Sequence, residues 1–250
     1  MKFVAIIPAR YESSRFPGKP LVDIDGKPMI QRVYEQVKKS IFDVYVATDD
    51  ERIFNAVINF GGNVVMTSTS HRSGTDRCNE AFNKISRPFD VVINIQGDEP
   101  FISPQQIDLL KSCFVDSTVE IATLVKPFDL NDGLDELKNP STPKVVVSND
   151  SDAIYFSRSI VPYIRDVETE DWLSHHVFYK HIGIYGYRSD VLSEITQLPE
   201  GILEKSESLE QLRWLENGFK IKIGFTNHET KGIDTPEDLE AALKLMHNCE

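Results

Sequence analysis

Apolar residues in the first half of the chain fall into short continuous runs, separated by stretches with the wider spacing of helices. Residues 3–7 (Phe-Val-Ala-Ile-Ile) and 91–95 (Val-Val-Ile-Asn-Ile) place adjacent apolar, β-branched residues on both faces of an extended chain, so both read as strands buried on two sides. Residues 44–47, 63–66 and 121–125 repeat this pattern. Between them, 29–40, 51–59, 74–85 and 104–114 read as helices. Such alternation predicts an α/β fold with a mostly parallel, Rossmann-like sheet flanked by helices.

The second half is less regular. Residues 144–148, 153–157 and 181–187 read as strands, and 209–217 and 236–247 as helices. The polar stretches 131–142 and 166–176 read as surface excursions that could act as a lid. With no internal repeat or low-complexity tract, a single domain over 1–250 is expected, carrying an inserted subregion.

In parallel sheets ligands gather beyond the carboxyl ends of the strands, so the residues just past each strand are the first to weigh for chemistry. After the first strand comes Arg10-Tyr-Glu-Ser-Ser-Arg15-Phe-Pro-Gly-Lys19, a turn-rich loop with Arg10, Arg15 and Lys19 as cations. Free backbone N–H groups, two planar guanidinia and one ammonium suit a polyphosphate. The loop has neither the Gly-x4-Gly-Lys-Ser/Thr nor the Gly-x-Gly-x-x-Gly pattern, which argues against P-loop and dinucleotide sites.

After the strand at 91–95 comes Gln96-Gly-Asp98-Glu99-Pro100. Asp98 there is placed to hold a hard divalent cation beside phosphates, or to form a solvated turn. Gly97 is expected to let the backbone approach a ligand closely. Asp234 can supply a second oxygen ligand or serve as the cap of the helix that opens at Pro236. In His71-Arg-Ser-Gly-Thr-Asp-Arg77 a helix amino terminus meets the hydroxyls of Ser73 and Thr75, either as a cap or as a polar site. Ala47-Thr-Asp49 is a weaker base-pocket candidate. His181 and Tyr185 are four apart on a strand and share a face, in a core or in a pocket.

Net charge changes this picture. A charge of −12 argues against a general nucleic-acid binder, which needs a basic face, so an anionic nucleotide must meet locally concentrated cations or a divalent metal. No apolar run reaches the roughly 20 residues of a membrane span, and the first strand begins too early for a signal peptide, so a cytoplasmic location without membrane attachment is expected. Cys78, Cys113 and Cys249 form neither a disulfide framework nor a zinc pattern.

The motifs in order carry a resemblance. Ile-Ile-Pro-Ala-Arg-Tyr-x-Ser-x-Arg-x-Pro-Gly-Lys-Pro-Leu at the start, then Ala47-Thr-Asp49, His71-x-Ser-Gly-Thr75-x-Arg77, Asn94-Ile-Gln-Gly-Asp98-Glu-Pro100, Tyr155-Phe-Ser-Arg158, His181-Ile-Gly-Ile-Tyr185-Gly-Tyr187, Leu209-Glu-Gln-Leu-Arg213 and Ile233-Asp-Thr-Pro-Glu237 together resemble the 3-deoxy-manno-octulosonate (Kdo) cytidylyltransferase family, the CMP-Kdo synthetases. The resemblance spans nearly the whole chain.

It implies a nucleotidyltransferase (GT-A-like) sheet with a small dimerisation subregion near 131–187, and a homodimer formed through 155–158 and 181–187. It implies transfer of CMP from CTP to the anomeric hydroxyl of Kdo with release of pyrophosphate. Mg2+ would be shared by Asp98 and Asp234. Arg10, Arg15, Lys19 and Asp98 would be catalytic. Ala9, Arg10, Lys19, Ser73, Gly74, Arg77 and Gln96 would bind the nucleotide, and Gln96, Arg158, His181, Tyr185, Glu210 and Gln211 the sugar. No side chain stands out as a general base. An 8-amino-Kdo substrate, a nucleotide-sugar-consuming glycosyltransferase and a non-catalytic nucleotide sensor are the alternatives to test.

Overall fold

Strand β1 (Phe3–Ala9) is the first apolar run, and its Val4, Ala5, Ile6 and Ile7 are fully buried. A computed structural model describes residues 1–12, 16–229 and 232–247, with side chains as far as residue 244. The chain divides into two compact units, residues 1–108 with the segment from 230 onward, and residues 109–229.

In the first unit β1 is followed by a single 3₁₀ turn at Lys19–Leu21, the short pair β2 (Asp23–Ile24) and β3 (Lys27–Pro28), and helix α1 (Met29–Lys38). Then come β4 (Asp43–Thr48), α2 (Glu51–Asn59), β5 (Asn63–Met66), α3 (Gly74–Lys84), β6 (Val91–Asn94) and α4 (Pro104–Cys113). α1 buries Met29, Ile30, Val33, Tyr34 and Val37, the one-sided spacing that the sequence shows. Asp50 caps α2 by accepting from the Arg52 N–H at 2.9 Å. β1 lies between β4 and β6, β5 pairs with β4, and every one of these pairings is parallel. The carboxyl ends of β1, β4 and β6 therefore open on one edge, which brings the loops after Ala9, Thr48 and Asn94 together.

In the second unit β7 (Ile121–Pro127), α5 (Gly133–Lys138), β8 (Lys144–Val147), β9 (Ala153–Ser157), α6 (Trp172–His175) and β10 (Tyr179–Arg188) lead to α7 (Ser189–Ile195), α8 (Ile202–Glu207), α9 (Gln211–Glu216) and β11 (Ile221–Phe225). β11 runs parallel to β7, but β10 runs antiparallel to both β7 and β8, and β8 antiparallel to β9. The stretches 131–142 and 166–176 are not free excursions. α5 and α6 bury Leu137 and Trp172 in one cluster with Phe128 and Phe178. Leu134, Val167 and Leu173, partly buried, pack against the same cluster, so a few apolar side chains pin segments that are otherwise polar. The chain ends, within the first unit, in α10 (Pro236–His247).

Candidate active site

The Lys19 ammonium stands at the centre of the candidate site. It donates to Asp98 Oδ2 at 2.7 Å and to Asp234 Oδ1 at 2.9 Å, and the lysine side chain is 12% exposed. Its backbone is set by Gly18, whose φ of +75° is left-handed and whose N–H donates to the Tyr11 carbonyl at 2.8 Å. Burial pulls the ammonium's pKa down, and the charges and hydrogen bonds of Asp98 and Asp234 outweigh it, leaving the value above the ordinary one for lysine. Arg15 lies outside the described residues.

Asp98 and Asp234 are brought together by the backbone: the Ile233 N–H donates to the Asp98 carbonyl at 2.9 Å. The cap of α10 belongs to its neighbours. Thr235 Oγ1 accepts from the Asp238 N–H at 3.2 Å, and the Asp238 carboxylate accepts from the N–H groups of Thr235 and Asp234 at 2.9 and 3.1 Å. The Asp234 carboxylate accepts from Lys19 through Oδ1. Two carboxylates converging on one cation fit magnesium, which takes one or two protein carboxylates and completes its octahedron with phosphate oxygens and water. Among the described residues no group of three or more His, Cys, Asp or Glu forms a denser metal site.

Gly97 allows a close approach of its own loop to β1. A β-carbon there would stand 2.7 Å from the Pro8 carbonyl oxygen of β1. The strand-end loop that carries Asp98 is pressed against the central strand. Gln96, just before it, is partly buried, and Ala9 closes β1 at 3% exposure.

Arg10 donates through Nη2 to the His71 carbonyl at 2.7 Å and faces Asp49 at 3.9 Å. The segment 67–73 is itself tied down: the Glu80 carboxylate receives the His71 ring and the Ser68 N–H, the latter at 2.9 Å, and pairs with Lys84 at 2.6 Å. Burial opposes ionisation of Glu80, but these partners bring its pKa down to about 2. Ser73 Oγ accepts from the Asp76 N–H at 3.1 Å, the N-cap of α3, so that hydroxyl is engaged in the helix and Gly74 opens the first turn.

Arg77 is 1% exposed and reaches inward, donating to Thr67 Oγ1 at 2.6 Å and to Asp49 Oδ2 at 2.7 Å. Its role is to hold the ends of β4 and β5 in place. Sequence reasoning missed both this pair and the role of Asn94, whose side-chain Oδ1 is buried with no hydrogen-bond partner among the described residues. An interior asparagine in a strand gives no pattern signal. Arg77→Ala is expected to lower stability by about 3 kcal/mol, the lower end for a broken buried pair because Asp49 keeps some contact with water. Urea unfolding measures this, and a loss below about 1 kcal/mol would contradict the pairing.

Apart from Gln96, which is in the first unit, the residues assigned to the sugar lie in the second unit. His181 Nε2 and Thr123 Oγ1 are 3.0 Å apart, and the His181 ring lies 5.3 Å from that of Tyr185. They share a face as expected, although the register of β10 on β7 slips between Ile182 and Tyr185, where Thr123 Oγ1 donates to the Ile182 or Ile184 carbonyl. Tyr185 and Tyr187 meet Trp214 of α9 edge-on at 5.2 and 5.5 Å. Burial, then Tyr187 and Glu210, push the Tyr185 phenol well above its usual pKa. Gln211 is 5% exposed, and its amide nitrogen has no hydrogen-bond partner among the described residues.

Arg158 is heavily engaged. Its Nε, Nη1 and Nη2 donate to the carbonyls of Glu207, Pro140 and Ser208 at 2.5, 2.7 and 3.1 Å. The Glu207 carboxylate in turn accepts from Ser157 Oγ and the Arg158 N–H at 2.7 and 2.9 Å. This clamp fixes the turn between α8 and α9, just before Glu210 and Gln211.

Burial lowers the pKa of His181 from 6.5 to about 4. The unfolded chain takes up a proton that the folded chain refuses, so stability is full above pH 6.5 and declines as pH falls toward about 4. Urea midpoints of the protein and of His181→Asn should diverge least below about pH 4 and most above 6.5. A constant difference across that window would contradict a buried neutral imidazole.

Known proteins resemble the chain over its whole length. A family profile described as Cytidylyltransferase matches residues 4–223. The 3-deoxy-manno-octulosonate cytidylyltransferase of Parabacteroides distasonis is 64% identical over 99% of both chains. The chain belongs to this family. The family member from Phocaeicola vulgatus is 62% identical, over 100% of this chain and 99% of its own. A solved CMP:2-keto-3-deoxy-manno-octonic acid synthetase complexed with CTP superposes with a TM-score of 0.91 at 45% identity, covering 100% of each chain. The family's cytidylyltransferase fold is thus the α/β arrangement described above, and among the described residues no helix is long and apolar enough to cross a membrane.

Proposed function

We propose that the protein transfers CMP from CTP to the anomeric hydroxyl of Kdo, giving CMP-Kdo and pyrophosphate, with Mg2+ as cofactor. The observation that carries this reading is the convergence of Asp98 and Asp234 on the Lys19 ammonium at the carboxyl edge of a parallel sheet. In-line transfer at phosphorus asks a protein mainly for positioning and for stabilisation of moving charge. Asp98 and Asp234 would hold the magnesium. Held there, it would supply Lewis-acid chemistry that stabilises phosphate charge and makes the sugar hydroxyl a better nucleophile.

The chain's own residues do the rest. Lys19 and Arg10, with Arg15 from the same loop, neutralise charge gathering on the departing pyrophosphate. Ala9, Ser73, Gly74 and Gln96 frame the nucleotide through backbone and polar contacts, and Arg77 supports them from beneath by holding Asp49. In the second unit the buried Gln211 amide nitrogen is suited to a sugar hydroxyl, with His181, Tyr185 and Glu210 as further partners. Arg158 contributes by fixing the turn before Glu210 and Gln211. The product would serve lipopolysaccharide assembly in the cytoplasm, and the partners are CTP, the acidic sugar and a second copy of the chain. We assign that homodimer to the strands around 155–158 and 181–187, with Ile154 on β9, beside the first of these, 58% exposed.

Sugar choice is tested by steady-state rates with Kdo, 8-amino-Kdo and sialic acid at fixed CTP. Kdo should give the highest kcat/KM. Preference for the 8-amino sugar would move the assignment within the family, and activity with none of the three would defeat it.

A further inference from the structure

The lysine that reads as a phosphate ligand stands between the two acids that read as metal ligands. From this geometry we propose that Lys19 is an internal counter-ion that closes the divalent-metal site until a polyphosphate draws the ammonium away, so that metal and nucleotide bind as a coupled pair. The inference rests on the metal reading above and adds to it an order of events.

The distances carry it. One ammonium lies within 3 Å of a carboxylate oxygen on each acid, at 2.7 Å from Asp98 and 2.9 Å from Asp234. A dication arriving between those acids meets a positive charge already in contact with both, and the side chain's 12% exposure limits screening by water. The three charges sum to −1, where the pair of acids alone would offer −2. Lysine is suited to leaving: it is a point charge on a flexible stem, not a planar fork locked to one partner.

Its backbone need not move. The turn is held by the Gly18 N–H on the Tyr11 carbonyl at 2.8 Å and by the Leu21 N–H on the Gly18 carbonyl at 2.9 Å, so a change of side-chain rotamer is enough. A triphosphate beside the loop offers the ammonium a new set of anionic oxygens, and the vacated carboxylates then face the metal.

The thermodynamic consequence is reciprocal. If Lys19 blocks the acids in all but one molecule in ten to one in a hundred, the apparent metal affinity without nucleotide falls by about tenfold to a hundredfold. Nucleotide then raises metal affinity by the same factor by which metal raises nucleotide affinity.

The test is binding of Mn2+ to the full chain, read from the electron paramagnetic resonance of the free ion, first without nucleotide and then with α,β-methylene CTP. Lys19→Met and Lys19→Gln, each checked for folding by its melting curve, should bind Mn2+ at least about tenfold more tightly than the unsubstituted protein without nucleotide. Lys19→Arg, which keeps a cation, should stay weak. Asp98→Asn should abolish the gain when combined with Lys19→Gln. Neutral variants that bind Mn2+ no more tightly, while the unsubstituted protein with the CTP analogue binds it through Asp98, would overturn the counter-ion role and leave the metal reading standing. Absence of any Asp98-dependent Mn2+ binding, with or without the analogue, would overturn both.

Discussion

Asp98→Asn is expected to fold as the parent does and to lose at least about a hundredfold in kcat, equivalent to about 2.7 kcal/mol of transition-state stabilisation. The side chain keeps its size and one oxygen, so packing is spared. What disappears is one of two charges on which Lys19 converges at 2.7 and 2.9 Å, and with it the stronger half of a magnesium site. Stability should change by less than about 1 kcal/mol, because the Asp98 side chain is 28% exposed and Lys19 keeps its pairing with Asp234. Parallel measurements of kcat and of the urea midpoint separate the two effects. Undiminished turnover would remove Asp98 from the chemistry, and a large loss of stability would make it a structural acid instead.

Gly97→Ala should damage both properties at once. The added methyl would sit 2.7 Å from the Pro8 carbonyl oxygen, a backbone atom in the central strand of the first unit, with no flexible neighbour able to yield. Overpacking of this kind costs about 1 to 3 kcal/mol. Relief must come from the loop moving away from β1, which carries Asp98 with it, and a displacement of about 1 Å at a catalytic group costs on the order of a hundredfold in rate. A fall in melting temperature together with a fall in kcat, measured on one preparation, is the expected outcome. Wild-type turnover in a folded Gly97→Ala would show that the loop has room that the Pro8 contact denies.

These two neighbours also show how much of the site is legible in the chain. The apolar runs that form β1, β4, β5 and β6 announce a parallel sheet, and the rule that ligands sit beyond strand ends singles out Lys19 and Asp98. Asp234, far along the chain, needs the family resemblance, since a local reading makes it a helix cap. In three dimensions Thr235 and Asp238 form that cap, and the Asp234 carboxylate accepts from Lys19.

Gly97 stands out for a close approach, and the Pro8 carbonyl of β1 is one such neighbour, which nothing local in the sequence names. Arg77 looks like a ligand contact from its motif, and its inward reach to Asp49 and Thr67 depends on two other strand ends meeting α3. In the second unit, the antiparallel course of β10 and the slip between Ile182 and Tyr185 are invisible to a pattern of period two. α5 and α6 are hidden because mostly polar segments are held by few apolar side chains, Leu134 and Leu137 in one and Trp172 and Leu173 in the other. Arg158 illustrates the same limit: its type suits a carboxylate, but the carbonyls it binds belong to residues 18 and 50 positions away that no spacing rule links to it.

The most direct measurement of the central claim is pyrophosphate release from CTP and Mg2+ in the presence and absence of Kdo. The account predicts release only when all three are present, in step with formation of CMP-Kdo. Release without Kdo, or none with it, would contradict cytidylyl transfer to this sugar.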